Sequence, residues 1–475
     1  MFNLDFARGR VLYRLMSLCC CLAFGMYGYD AGVLGGVQET KPFRDAMGNP
    51  TGTYIIPMIA SSYTLAATVC SLITSVMGMP LGRRGCILLG DILVIVGGSL
   101  QASAWSVGQM IAGRVVCVWP AEMSITTKER GPEVAIQCIF LVGGCAFAYW
   151  VDFGFTRMDT QISWRFPIGF QTAFALVSGT GMFLLPDTPR WYYARGRYDE
   201  GDDILARLHD CAVTDDAVQA MRQSIIASIE FEGESKKFNV WDLFWDQTKL
   251  RVGHRIRVAF LLLSMQQMMG INLSVYYSTI IFGQIGLSAF LSQLLAAVMN
   301  TTFAMGSLFL PSTIERFGRR AILMYSAVGL TICMIVFVAM IGTSNPTPAT
   351  QWTAVAAAFA YNFIFGYGWI GVAWLYGPEI APLRHRHVGG AAAAFGEWLF
   401  CFITVFAGGI GLQNVGWKMW LWCLLSCALA VPFTLEEIDI LFAKEDIPHE
   451  IMASGSSEGK GKEGLEFEHE EKVKV

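Results

Sequence analysis

Of 475 residues, 54% are apolar and only 15% are charged, so the chain has too little polar surface to coat a soluble globule and belongs in a bilayer. The formal net charge of −4 says little, because much of it comes from the tail Glu458 to Val475, where acidic and basic residues alternate with little apolar content. That tail is expected to be solvated and disordered.

The chain begins with a basic segment (Arg8, Arg10, Arg14) followed by about 20 apolar residues without a cleavage site, which reads as a retained first span and not as a signal peptide. Apolar stretches of spanning length then fall at 15–37, 55–79, 86–105, 107–123, 133–154, 165–186, 257–283, 289–312, 320–342, 351–378, 390–411 and 416–434. They predict an all-α membrane protein with twelve spans. Six spans are expected in residues 15–186 and six in residues 257–435. Between them, 187–256 alternates charged and apolar residues (Ile204, Leu205, Leu208; Ile225, Ile226, Ile229), the pattern of short surface helices on a linker. If spans alternate, Lys and Arg concentrate on one face: residues 1–14, the loop with Lys128 and Arg130, the linker, and Arg384 with Arg386. That face is predicted to be cytoplasmic, with the tail 436–475 on the same side.

Gly-Arg-Arg occurs at Gly82, Arg83, Arg84 and again at Gly318, Arg319, Arg320, each time between two apolar stretches, which marks an internal duplication. Used as a ruler, the repeat is uneven. Gly318 precedes Glu379 by 61 residues, but Gly82 precedes Glu122 by only 40. The shortfall falls on the fourth span, whose 17 residues reach only about 25 Å of a hydrocarbon core of about 30 Å.

Thirteen cysteines occur largely within apolar runs, as at Cys19, Cys20, Cys21 and at Cys423, Cys427, and read as small buried hydrophobes. There is no Cys-x-x-Cys, and the histidines are scattered, so no metal site is expected. No nucleophile–base set or phosphate loop points to an enzyme.

Several motifs in order carry a resemblance. They are Gly28, Tyr29, Asp30, Gly32, Val33 and Gly36; Gly113 and Arg114; Pro186 to Trp191; Gln266, Gln267, Gly270, Ile271, Asn272, Tyr276 and Tyr277; and Leu435 to Asp439. From about residue 10 to 445 the chain resembles a sugar porter of the major facilitator superfamily, of the kind abundant in fungi. The resemblance implies two six-helix bundles and alternating access. The expected partners are a sugar (a mono- or disaccharide), a proton and the lipid bilayer. The expectation is a plasma-membrane monomer without cofactor or nucleic acid.

Asp30 lies among apolar and small residues, where an ionised carboxylate costs several kcal/mol unless it is paired or protonated. Arg114 is the obvious opposite charge. In related symporters the two positions form the proton site, although a static ion pair joining spans 1 and 4 is the alternative. Gln266, Gln267 and Asn272 fall over a limited arc of one helix, and amides match hydroxyls without burying a charge. Tyr276, Tyr277 and Trp374 add flat faces for the apolar side of a pyranose, and Gln137 and Asn300 match polar substrate positions of the family. All of these residues have packing roles as alternatives. Glu397 stands where many relatives have asparagine, and reads as a sugar ligand, a proton carrier or a packed neutral acid. Arg83, Arg84, Glu122, Arg130, Glu315, Arg319, Arg320, Glu379 and Arg386 resemble the family's cytoplasmic charge network. Met79 departs from it where an acid is expected, and Arg130 sits one residue too far from Glu122.

Two junctions, Val116 to Trp119 and Phe433 to Thr434, lack blocks that the family carries and read as a splice-junction error or a truncated variant. Span 4 is therefore expected to be strained or re-registered and transport impaired. The rival readings are an uncoupled sugar, polyol or quinate carrier and a non-transporting sugar sensor.

Overall fold

The computed structural model describes residues 8–118, 131–233, 251–381 and 386–442. Among them there are helices and no strand. Eleven helical stretches among the described residues are long and apolar enough to cross a bilayer. They are span 1 (Gly9–Val37), span 2 (Ile55–Ile73), span 3 (Arg84–Ala102), span 5 (Val134–Phe155), span 6 (Ile162–Leu184), span 7 (Val252–Tyr276), span 8 (Ala289–Ser307), span 9 (Arg319–Ile341), span 10 (Pro348–Gly377), span 11 (Val388–Asn414) and span 12 (Gly416–Phe433).

The span 4 helix expected over 107–123 is described only in its first part. That part is Val107–Cys117, 11 residues, which at 1.5 Å per residue reaches about 16 Å, roughly half the hydrocarbon core. Residues 119–130, and with them Glu122 and Arg130, lie outside the described residues. The last helix runs from Trp420 through Phe442 without a break at the Phe433–Thr434 junction.

The duplication seen in the sequence recurs in the backbone. Spans 2 and 3 meet at Gly82, with φ 74° and ψ 169°. Spans 8 and 9 are joined through the short helix Leu310–Phe317 and Gly318, with φ 76° and ψ 155°. This region of backbone space is essentially restricted to glycine, which explains why both copies of the motif begin with it. Helix pairing repeats as well: span 1 packs on span 5 as span 7 packs on span 11, and span 3 on span 6 as span 9 on span 12. The seam between the halves is formed by spans 2 and 11 on one side and spans 5 and 8 on the other, two interfaces that the same repeat interchanges.

Within each half, glycines allow the close approach that drives helix packing in lipid. A Cβ at Gly28 would overlap the Leu141 carbonyl, and one at Gly396 would crowd the Phe260 carbonyl. Large apolar side chains such as Leu176, Phe183, Leu425 and Leu429 are left exposed, as lipid contact requires.

Among the described residues the connector holds three helices, Pro189–Tyr193, Tyr198–His209 and Asp216–Gly233. Ile204 and Leu205 are buried, and Leu208 packs on a cluster with Leu12 and Leu185, so the connector lies against the Gly-Arg-Arg end of spans 1 and 6. Tyr193 donates to Asp202 Oδ1 at 2.8 Å. Burial first, and then this hydrogen bond to a carboxylate, pushes the phenol well above its ordinary range. Arg222 closes the cluster at 3.3 Å from Asp202.

Candidate functional site at the seam

Span 7 is broken twice. It runs as Val252–Met268, then, after Gly270 at φ 94°, as Ile271–Tyr276, and then as Ser278–Gln284. The breaks release backbone carbonyls in the bundle interior, where irregular backbone is tolerated only against protein or a cavity. Hydrogen bonds run in both directions between this segment and the other half. Gln38 Nε2 reaches Tyr276 O at 2.7 Å, Thr279 Oγ1 reaches Gly35 O at 3.0 Å, and the Tyr149 hydroxyl donates to Val275 O while accepting from Ser278 Oγ at 2.7 Å. These bonds tie spans 1, 5 and 7 together at the end opposite the Gly-Arg-Arg turns.

Below them, the first break gathers part of the expected binding set. Gln267 Nε2 donates to Glu397 Oε1, and Asn272 Nδ2 donates to Gln267 Oε1 and to Cys401 Sγ, the latter at 2.9 Å. Glu397 is 7% exposed, and its second oxygen has no partner among the described residues. A carboxylate can only accept unless it is protonated, so it fixes the direction of the chain: Gln267 turns its amino group to Glu397 and its oxygen to Asn272. Gln266 points elsewhere, donating to Trp369 O at 3.2 Å with its own oxygen unpartnered.

Other expected residues are dispersed. Tyr277 clamps span 11 through Val405 O at 3.0 Å, and Tyr276 is buried at the seam. Trp374 is half-buried at the start of Val372–Ile380. Asn300 is buried between spans 5 and 8, donating to Ala296 O at 2.9 Å and accepting from Cys145 at 3.4 Å. Gln137 is buried on span 5. A cavity of about 20 Å³ lined by Ser274, Met299, Phe337, Asn362 and Trp420 lies behind span 7, inside the second half. It has room for about one water and no more, so it is not a sugar site.

Asp30 and Arg114 are both buried, at 4% and 0% exposure, and close enough to interact electrostatically. No N···O distance between them falls within 4.0 Å, and neither Asp30 oxygen has a hydrogen-bond partner among the described residues. The guanidinium instead lies over the Tyr63 ring, 5.4 Å from its centroid. Tyr63, Tyr27 and Trp398 form one aromatic cluster, with Tyr27 stacked on Tyr63 at 6.1 Å and edge-on to Trp398 at 5.4 Å. It joins spans 1 and 2 to span 11 and separates the Asp30 region from Glu397, the neighbour of Trp398. The motif reading missed this cluster, although three aromatics in spans 1, 2 and 11 were visible. It also missed Asp91 and Asp152, which are intramembrane acids in the sense that Asp30 is.

Of the charge network, Arg319 Nη2 meets Glu379 Oε1 at 3.3 Å within the second half. Arg84 caps span 6 through Met182 O at 3.1 Å and Phe183 O at 2.6 Å. Glu315 is exposed, and no ion pair of its own is found among the described residues. The side chains of Arg83 and Arg386 lie outside the described residues.

The chain is similar to known proteins. MFS-type transporter oryC of Aspergillus oryzae is 30% identical over 439 residues, covering 87% of this chain and 80% of the relative. Sugar transporter STL1 of Saccharomyces cerevisiae is 28% identical over 478 residues, covering 92% and 82%. The proton:xylose symporter XylE, solved with bound 6-bromo-6-deoxy-D-glucose, matches with a TM-score of 0.75 over 90% of this chain and 95% of its own, at 18% identity, a likeness of fold. The family profile described as sugar (and other) transporter matches residues 16–437. The chain therefore belongs to this family of multi-pass membrane transporters, which are carriers and not enzymes, and has the major facilitator fold.

Proposed function

We propose that the chain carries a mono- or disaccharide across the plasma membrane by alternating access, coupled to a proton. In this reading residues 15–186 and 257–435 rock as two bundles about the seam. The connector 187–256 and both tails, 1–14 and 436–475, are cytoplasmic, so the end stitched by Tyr149 is extracellular. The carrying observation is the Gln267, Asn272 and Glu397 cluster at the span 7 break: amides and an acid converge where helical backbone stops, offering the donors and acceptors that hydroxyls need.

The separation of Asp30 from Arg114 favours coupling over a static ion pair. A pair that existed only to hold spans 1 and 4 together would be closed, since leaving a buried charge unmatched costs several kcal/mol. Either a proton or the guanidinium must offset the Asp30 charge, and a conformational cycle that exchanges one for the other moves a proton with the solute.

Radiolabelled uptake in a transporter-null yeast, with a panel of sugars and an uncoupler, tests the reading. One or more sugars should accumulate and alkalinise the medium. Asp30→Asn should abolish accumulation while leaving downhill entry. Uptake insensitive to the uncoupler would refute coupling, and binding without uptake would favour a sensor.

A further inference from the structure

Span 5 carries a carboxylate that this cycle does not use. Asp152 lies one turn from the end of span 5 that the seam bonds close, and is 1% exposed. Neither of its oxygens has a hydrogen-bond partner among the described residues. It is wedged against span 1 so tightly that a Cβ at Gly36 would overlap it.

The titratable groups around it are Tyr29 on span 1 and Tyr149 and Cys145, one and two turns earlier on its own helix. Each donates elsewhere: Tyr29 to Pro167 O at 2.8 Å, Tyr149 to Val275 O, and Cys145 to Asn300 Oδ1 at 3.4 Å. No lysine, arginine or histidine pairs with Asp152 among the described residues. Asp91 is buried as well, but it lies near Ser178 and against Gly179 of span 6 inside the first half, away from the seam. Asp152 is different because bonds between the halves flank it one turn away on either side: Tyr149 to span 7, and Thr156 to Gln293 of span 8 at 3.2 Å.

We propose that Asp152 is a second proton-binding site, filled from the extracellular side as that end of the seam closes. The inference rests on the transport reading above for the identity of that side. With the end open, water reaches the carboxylate and solvates its charge. Closure removes the water and offers no donor in return, which penalises the ionised form. Taking the proton from hydronium, which leaves as water, converts the carboxylate to a neutral acid and removes that penalty. Asp152 thus sets the balance between open and closed carriers, separately from Asp30. One proton bound on closure makes that balance respond to external pH by up to about tenfold per pH unit.

Two measurements test this on the full-length chain. In purified protein, labelling of Thr279→Cys by an impermeant maleimide reports opening without any substrate. The rise of labelling with pH should be several-fold steeper with Asp152 present than in Asp152→Asn, where thiol chemistry contributes equally. In cells, the external-pH dependence of KM should flatten in Asp152→Asn while sugar-driven alkalinisation, which depends on Asp30, persists. If Asp152→Asn fails to reach the membrane, Asp152→Ser repeats both with a smaller group. Equal pH slopes with and without the carboxyl overturn the proposal. Flattened labelling in a chain that takes up no sugar would uphold the proton site and refute sugar transport instead.

Discussion

One phenol oxygen makes two of the bonds that shut the end of the seam opposite the Gly-Arg-Arg turns. The Tyr149 hydroxyl donates to Val275 O and accepts from Ser278 Oγ at 2.7 Å, joining span 5 to both sides of the second span 7 break. Tyr149→Phe removes both bonds and leaves the buried ring in place. At about 1 kcal/mol net for each bond the closed state loses up to about 2 kcal/mol. Ser278 keeps a weaker acceptor in Val275 O at 3.4 Å, which sets the lower end near 1 kcal/mol. The open fraction should therefore rise between about 5-fold and 30-fold. Maleimide labelling at Thr279→Cys measures it, because the Thr279 hydroxyl bonds Gly35 O across the same seam and the reporter's own effect cancels between backgrounds. Ser278→Ala removes one of the same two bonds, so the double variant should fall short of additivity by about 1 kcal/mol. Unchanged labelling in Tyr149→Phe, or strict additivity with Ser278→Ala, would refute the assignment of this oxygen to closure.

Gln267→Ala removes an amide of the proposed sugar site and strands Glu397 Oε1, while Asn272 keeps only its Cys401 contact; at about 1–3 kcal/mol for the lost polar contact, sugar KM should rise by about tenfold. Asn300→Ala should cost uptake far less, because that amide is spent on its own helix and on a weak thiol contact; equal losses from the two variants would place the sugar nearer spans 5 and 8. Gly82→Ala and Gly318→Ala both force a Cβ into glycine-only backbone space at about 1–3 kcal/mol. Gly82 also abuts the Asp187 carboxylate and the Trp191 indole, whereas Gly318 has open space around it. The thermal midpoint of the full-length protein in detergent should therefore fall further for Gly82→Ala, and the reverse order would contradict the packing described.

The fold was legible because membrane helices announce themselves by length and composition, and the duplicated Gly-Arg-Arg located equivalent turns whose backbone angles agree closely. For span 4 the apolar residues continue past Cys117; the structure describes the helix as far as 117, and the expected continuation to 123 falls in residues outside those described. The site was legible where chemistry and spacing coincide, as at Gln267 and Asn272. It was not where partners come from distant helices. Nothing in the sequence tells that Asn272 meets Cys401, that Arg114 lies over Tyr63, or that Gln266, beside Gln267, faces the Trp369 carbonyl instead. Helical neighbours point about a quarter-turn apart, so adjacent polar residues need not share a site.

The two seam interfaces are equivalent by duplication but not in chemistry. Spans 5 and 8 meet through directional bonds: Cys145 to Asn300, Trp150 Nε1 to Thr301 Oγ1 at 2.9 Å, and Thr156 to Gln293. Spans 2 and 11 meet through Tyr63, Ala67, Ala394 and Trp398, with Tyr27 wedged beside them. Hydrogen bonds weaken steeply with a change of angle, so the first interface has a preferred register and resists sliding. Aromatic contacts tolerate several arrangements at similar energy, so the second can repack as the halves rotate. The adaptable interface is the one that carries Trp398 next to Glu397 and Tyr63 beneath Arg114. Rotation about the bonded side would therefore be felt first where the proposed proton pair and the proposed sugar ligands lie, which couples the two without requiring that they touch.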